Sequence, residues 1–129
     1  MIKKLALGFL LLLVGSLILV SPVKAFSIPN YEGFVNDYAD VLSVELEEQL
    51  ETELQTTAEA SDGAEIAVVT INSLDGDTVE NVAQEFFDTC KIGKKHLDNG
   101  VLLLVSVEDR KLRIHAGYGA ESGITEAEA

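Results

Sequence analysis

The sequence has one cysteine, Cys90, so no disulfide can form within the chain. Its two histidines, His96 and His115, are far apart and show no paired ligand spacing, so cysteine and histidine together encode no zinc site. Cys90 closes an apolar helical stretch and reads as a small buried residue rather than a nucleophile. Basic residues are scarce: nine Lys and Arg stand against 22 Asp and Glu. Three of the nine, Lys3, Lys4 and Lys24, lie in the first 25 residues, where there is no acid, so the remainder carries a net charge of −16. Such a surface repels phosphate backbones and anionic lipid, which excludes nucleic-acid binding and suits divalent cations or basic partners. Arg110 and Arg113 are the only arginines.

Catalytic and nucleotide signatures are also missing. There is no Gly-x-Ser-x-Gly elbow and no His-Glu-x-x-His pair. Gly117-Tyr118-Gly119 follows a strand pattern, but the third glycine of a dinucleotide loop falls one place late, at Gly123, with Ser122 in the required position. Gly93-Lys94-Lys95 has no upstream glycine at phosphate-loop spacing. No nucleotide is therefore expected. Asp98-Asn99-Gly100 resembles a fragment of a calcium loop but lacks the downstream ligands of an EF-hand.

What is present begins with a leader. Lys3 and Lys4 precede an almost unbroken apolar run from Leu5 to Val20; Pro22 ends it, and Val23-Lys24-Ala25 supplies the small-residue pattern of a cut site. Residues 1–25 read as a signal peptide cleaved after Ala25, which puts the rest outside the cytoplasm: extracellular, periplasmic or in the cell envelope. Residues 26–33, with Pro29, read as a linker. Beyond it, Ser43 caps a helix in which Leu46, Leu50 and Leu54 recur among glutamates, and Ser61-Asp62-Gly63 stops it. Glu65 to Ile71 is a β-branched apolar run, as in a strand covered on both faces. Thr78 opens a second helix whose Val79, Val82, Ala83, Phe86 and Phe87 form one stripe. Val101 to Val107 is a second buried strand; Glu108-Asp109-Arg110 turns it back into the alternating Lys111 to Ala116. Helix, strand, helix, strand, strand predicts a layered α/β domain with a mixed sheet. Thr125 to Ala129 reads as the first turn of a further helix, so the domain is expected to be incomplete at its C-terminus.

Oxygen ligands gather at the ends of these elements: Asn36, Asp37 and Asp40 before the first helix, Asp75 and Asp77 after the first strand, Asp98 and Asn99 before the second, Glu121 after the third. Turn formation alone accounts for each one singly. Hard cations need several oxygens converging, which loop ends of an α/β sheet can supply.

Phe34-Val35-Asn36-Asp37-Tyr38-Ala39-Asp40-Val41-Leu42-Ser43 resembles the opening of the TPM domain family, and the likeness continues through Ala64 to Thr70. It is strongest at Lys91 to Lys95, at Asp98 to Val105 and at Arg113 to Glu121. The resemblance spans residues 34–129 and implies a three-layer α/β/α sandwich outside the cytoplasm. Family members continue past this point, often into a transmembrane segment, so membrane anchoring would rest on a segment beyond this sequence. Plant members serve photosystem II repair in the thylakoid lumen with acid phosphatase activity, animal relatives accompany a receptor channel, and some bacterial ones bind calcium. Carried over by position, Asp37, Asp98, Asn99 and Glu121 become the implied ligands of calcium or magnesium. Two expectations follow. In one, the chain is a calcium-binding accessory module that assists maintenance or assembly of a membrane protein complex. In the other, it is a metal-assisted acid phosphatase acting on phosphomonoesters.

Overall fold

A computed structural model describes residues 26–121, the side chain of Glu121 excepted. The expected signal peptide and the helix start expected at Thr125 lie outside the described residues. The elements are β1 (Val35–Asp37), α1 (Val44–Ala60), β2 (Glu65–Ile71), α2 (Val79–Cys90), β3 (Gly100–Ser106), β4 (Lys111–Ala116) and α3 (Tyr118–Glu121). The sheet runs β1-β2-β3-β4; β1, β2 and β3 are parallel and β4 is antiparallel to β3. This is the mixed α/β sheet expected from the element pattern.

Local chemistry sets the helices. Ser43 accepts a hydrogen bond from the Leu46 amide at 3.2 Å, and Glu45 and Glu47 sit in the first turn of α1, where the helix dipole favours acid. Thr78 caps α2 in the same way, from the Asn81 amide. The stripe of α2 is fully used: Val79, Val82, Ala83, Phe86 and Phe87 are all buried. They meet Ala67, Val69 and Ile71 of β2 and Leu102 and Leu104 of β3 in one core. Burying each large side chain there contributes roughly 1.5–3 kcal/mol.

The segment expected to be a linker is part of this core. Phe26 is buried, its ring 5.6 Å from Phe86, and Ile28 and Tyr31 pack against the cluster. Cys90, at the end of α2, is half-buried and packs against the same core.

Register fixes the two faces. Val35 pairs with Val68, and that face carries α1, which meets β1 and β2. Ala67 pairs with Leu102 and Leu102 with His115, and that opposite face carries α2, with the Phe87 ring 4.7 Å from His115. Helices thus lie on both faces of the sheet. On the α1 side, Val101, Leu103 and Val105 of β3 and Ile114 of β4 are half-exposed, and Leu112 is 56% exposed. No helix among the described residues is long and apolar enough to cross a membrane.

Candidate functional site

The parallel strands have a common carboxyl end, the usual place for ligands in open α/β sheets. Asp37, the last residue of β1, stands there in register with Thr70, which in turn pairs with Val105. The Thr70 hydroxyl donates to one Asp37 oxygen, and the Leu42 amide donates to the other at 2.8 Å. The Tyr38 amide reaches the Thr70 carbonyl at 3.1 Å, so the β1–α1 loop is tied to β2. Burial pushes the Asp37 carboxyl up, but the bonds from Thr70, Leu42 and Val41 outweigh it and hold the group below its ordinary value.

Asp109, in the β3–β4 turn, is a second carboxylate at this end. It accepts the Leu74 amide at 2.7 Å and the hydroxyl of fully buried Ser106 at 2.7 Å. Those bonds, with Lys111 nearby, lower its pKa despite some desolvation. The Val107 and Glu108 amides bond to the Ile71 and Asn72 carbonyls, which ties this turn to the β2–α2 loop. Asp75 takes a positive φ of 53° in that loop, which aspartate tolerates better than most residues.

The other end of the sheet holds Asp98 and Asn99. Asn99 accepts the Lys94 amide at 2.9 Å and closes its own loop. The Asp98 carboxylate accepts the Tyr118 amide at 2.9 Å, and its carbonyl accepts Gly119 at 2.9 Å. A side chain at position 117 would come within 2.5 Å of an Asp98 carboxylate oxygen, which is why glycine stands there. The sharing of an end between the start of β3 and the exit of β4 is therefore as expected, and α3, which ends at Glu121, packs against both strands. The Glu121 side chain lies outside the described residues.

Asp37 does not join them. Its level in the sheet is that of Val105, and the stretch from Gly100 to Val105 already spans roughly 16 Å at the usual rise of a strand. Calcium–oxygen distances are about 2.4 Å. The expected four-residue set Asp37, Asp98, Asn99 and Glu121 is thus corrected: it cannot surround one ion. The physical reason is that β1 runs parallel to β3, so the carboxyl end of one is remote from the start of the other. Donor chemistry, all oxygen, fits a hard cation; the arrangement does not. Among the described residues no group of three or more His, Cys, Asp or Glu could hold a metal ion.

The lowered Asp37 group gives a pH expectation. A carboxylate with a depressed folded pKa adds stability above its unfolded value, about 4, and that stability is lost as pH falls through the folded value. Thr70→Val removes the side-chain donor, so the acid-unfolding midpoint should move to higher pH when followed by circular dichroism. An unchanged midpoint would mean that the Thr70 bond does not favour the ionised form.

Sequence reasoning missed Asp109, Thr70 and Ser106 as members of the carboxyl-end network. Asp109 was readable only as a turn residue.

Residues 35–129 match the TPM domain family. The fold is similar to the solution structure of the N-terminal domain of a P. gingivalis protein, with a TM-score of 0.62 and 30% identity over 69% of this chain and 56% of that one. It is also similar in fold to the N-terminal domain of a Corynebacterium glutamicum protein, with a TM-score of 0.57 and 23% identity over 80% of this chain and 63% of that one. The chain thus spans less than two thirds of either structure. No curated protein matches it. The match across residues 35–129, most of the chain, leads to one assignment: this chain belongs to the TPM domain family.

Proposed function

We propose that this chain is an exported, non-enzymatic TPM-domain module that assists the maintenance or assembly of a membrane protein complex. One observation carries the reading: the acidic groups best placed for chemistry serve as hydrogen-bond acceptors that hold loops in place. Asp37 takes Thr70 and Leu42, Asp109 takes Ser106 and Leu74, and Asp98 takes Tyr118. Calcium or magnesium is then a loosely held counter-ion of the carboxyl-end loops, in the weak extracellular class of about 10⁻⁴–10⁻³ M. Export rests on the leader, with cleavage after Ala25.

Metal-assisted phosphomonoester hydrolysis is the second reading, and one feature favours it: Arg110 stands in the β3–β4 turn, at the same end as Asp37. Against it, the surrounding charge is strongly negative and a phosphate ester is an anion. A chromogenic phosphomonoester assay with added calcium or magnesium separates the two. The accessory reading expects hydrolysis no faster than in protein-free buffer. Turnover that disappears in both Asp37→Asn and Arg110→Ala would establish the enzyme instead.

A further inference from the structure

Residues 26–32 cover part of the core without belonging to any helix or strand. Among the described residues this segment shares no backbone-to-backbone hydrogen bond with the rest of the fold. It is held through side chains. Phe26 rests on Phe86, and Ile28 and Tyr31 pack against the core cluster. The Tyr38 hydroxyl donates to the Asn30 carbonyl at 2.6 Å, and the Glu32 amide donates to Asn36 Oδ1 at 2.8 Å. The Tyr31 hydroxyl donates to Glu65 at 3.3 Å, which is long for a bond between oxygens.

Immediately after it the chain is fixed. The Glu51 carboxylate of α1 accepts the Phe34 amide at 2.9 Å and the Val35 amide at 2.8 Å, and the Phe34 carbonyl accepts the Val68 amide at 2.8 Å. Between the loose stretch and the fixed one stands Gly33, at φ 64°, a conformation glycine enters without strain. A Cβ there would come within 2.5 Å of a Glu51 oxygen. The docked position also has a cost. Asn36 is 7% exposed; its oxygen takes the Glu32 amide and the Tyr38 hydroxyl, but among the described residues its side-chain nitrogen meets no acceptor. A buried donor without an acceptor favours any motion that returns it to water. Segments with few backbone bonds are the ones that open below the free energy of global unfolding.

We propose that residues 26–32 are a strap that opens as one unit about Gly33 while the sheet and α2 stay folded. Phe26 is its latch: it is the one buried side chain of the segment, and it sits at the end farthest from the hinge. The polar bonds at Asn30, Tyr31 and Glu32 set where the strap lies and close with it. Closed, the strap covers one side of Phe86 and ties down Tyr38, whose ring stacks 6.4 Å from that of Phe86. Open, it uncovers an aromatic surface that the closed chain does not present and returns the Asn36 amide to water. The device stands apart from the accessory reading, and its test involves neither metal nor ester.

Native-state hydrogen exchange of the full chain, labelled with ¹⁵N and followed in low concentrations of urea, tests this. The Glu32 amide is the reporter, because its acceptor is Asn36 and it is released only when the strap lifts. It should exchange faster than the slowest amides of β3, with a shallow dependence on urea, since opening a strap exposes far less surface than unfolding the domain. Phe26→Ala should speed exchange at Glu32 by about tenfold or more, because deleting a buried aromatic ring removes most of what holds the latch. That effect, transmitted over six residues to a bond Phe26 does not make, is the mark of opening as a unit. An unchanged Glu32 rate in Phe26→Ala would overturn the proposal, since the two ends would then move separately. So would a Glu32 amide that shares the rate and urea slope of β3, which would mean opening only by global unfolding. Loss of the folded spectrum in Phe26→Ala would overturn it as well, because the sheet could not then stay folded without the strap.

Discussion

Phe86→Ala should remove about 3–5 kcal/mol of stability, the usual range for deleting a buried aromatic ring. Phe86 has no exposed surface and is among the largest fully buried side chains. It also joins parts of the molecule that are distant in sequence. The Phe26 ring lies 5.6 Å away, tilted, and the Tyr38 ring 6.4 Å away, stacked. The first comes from the N-terminal segment and the second from the β1–α1 loop, so one truncation loosens both coverings of this face. A domain of this size has about 5–15 kcal/mol in total. The expected loss is therefore a large fraction, and at about 4–8 °C per kcal/mol it corresponds to a fall in Tm of at least roughly 12 °C. Phe86→Leu, which keeps most of the volume, should lose much less. A scan that shows Phe86→Ala within about 1 kcal/mol of the parent chain would mean that the site collapses freely and the core is not organised around this ring.

Gly100→Ala is expected to cost about 3 kcal/mol, the upper part of the range for overpacking a rigid site. The reason is backbone against backbone. A Cβ at position 100 would fall on the Ile92 carbonyl and within 3.0 Å of the Gly93 amide nitrogen, so no flexible side chain can yield. Gly93 itself takes φ 86°, its amide donates to Glu65 at 3.0 Å, and Gly100 accepts the Gly117 amide at 2.9 Å. The start of β3, the loop after α2 and the exit of β4 therefore meet at this glycine. Urea unfolding checks the expectation, with an unchanged m-value indicating a loss of stability rather than a different folded state. A midpoint equal to that of the parent would show that the corner can open without cost.

These two positions illustrate what sequence reading reaches. The Phe86 stripe is legible because helix periodicity is local, and all five of its expected members are buried. The glycine corner is legible as a set of motifs but not as a corner, since contact between Ile92 and Gly100 depends on the path of the loop between them. β1 has three residues, too few for any alternation, and becomes a strand only through its pairing with β2. Asp37 and Asp98 were placed together only by the family resemblance, and without β1 the direction of one relative to the other cannot be read from the sequence. Asp109 and Thr70 act through partners 35 and 33 residues away, which no local pattern announces. The hydrophobic content of residues 26–33 was visible, but its burial follows from the space over Phe86, not from its own periodicity.

The separation of Asp37 from Asp98 is the point on which the functional reading turns, and calorimetric titration of calcium into the full chain and its Asp98→Asn variant tests it most directly. Asparagine keeps an acceptor for the Tyr118 amide and tolerates the positive φ of 48° at this position, so the corner should survive while the charge is lost. The account predicts weak calcium uptake, with a dissociation constant of about 10⁻⁴–10⁻³ M, equal for the two proteins. Tight uptake by the parent chain that is abolished both by Asp98→Asn and by Asp37→Asn would place the two carboxylates on one ion and contradict it.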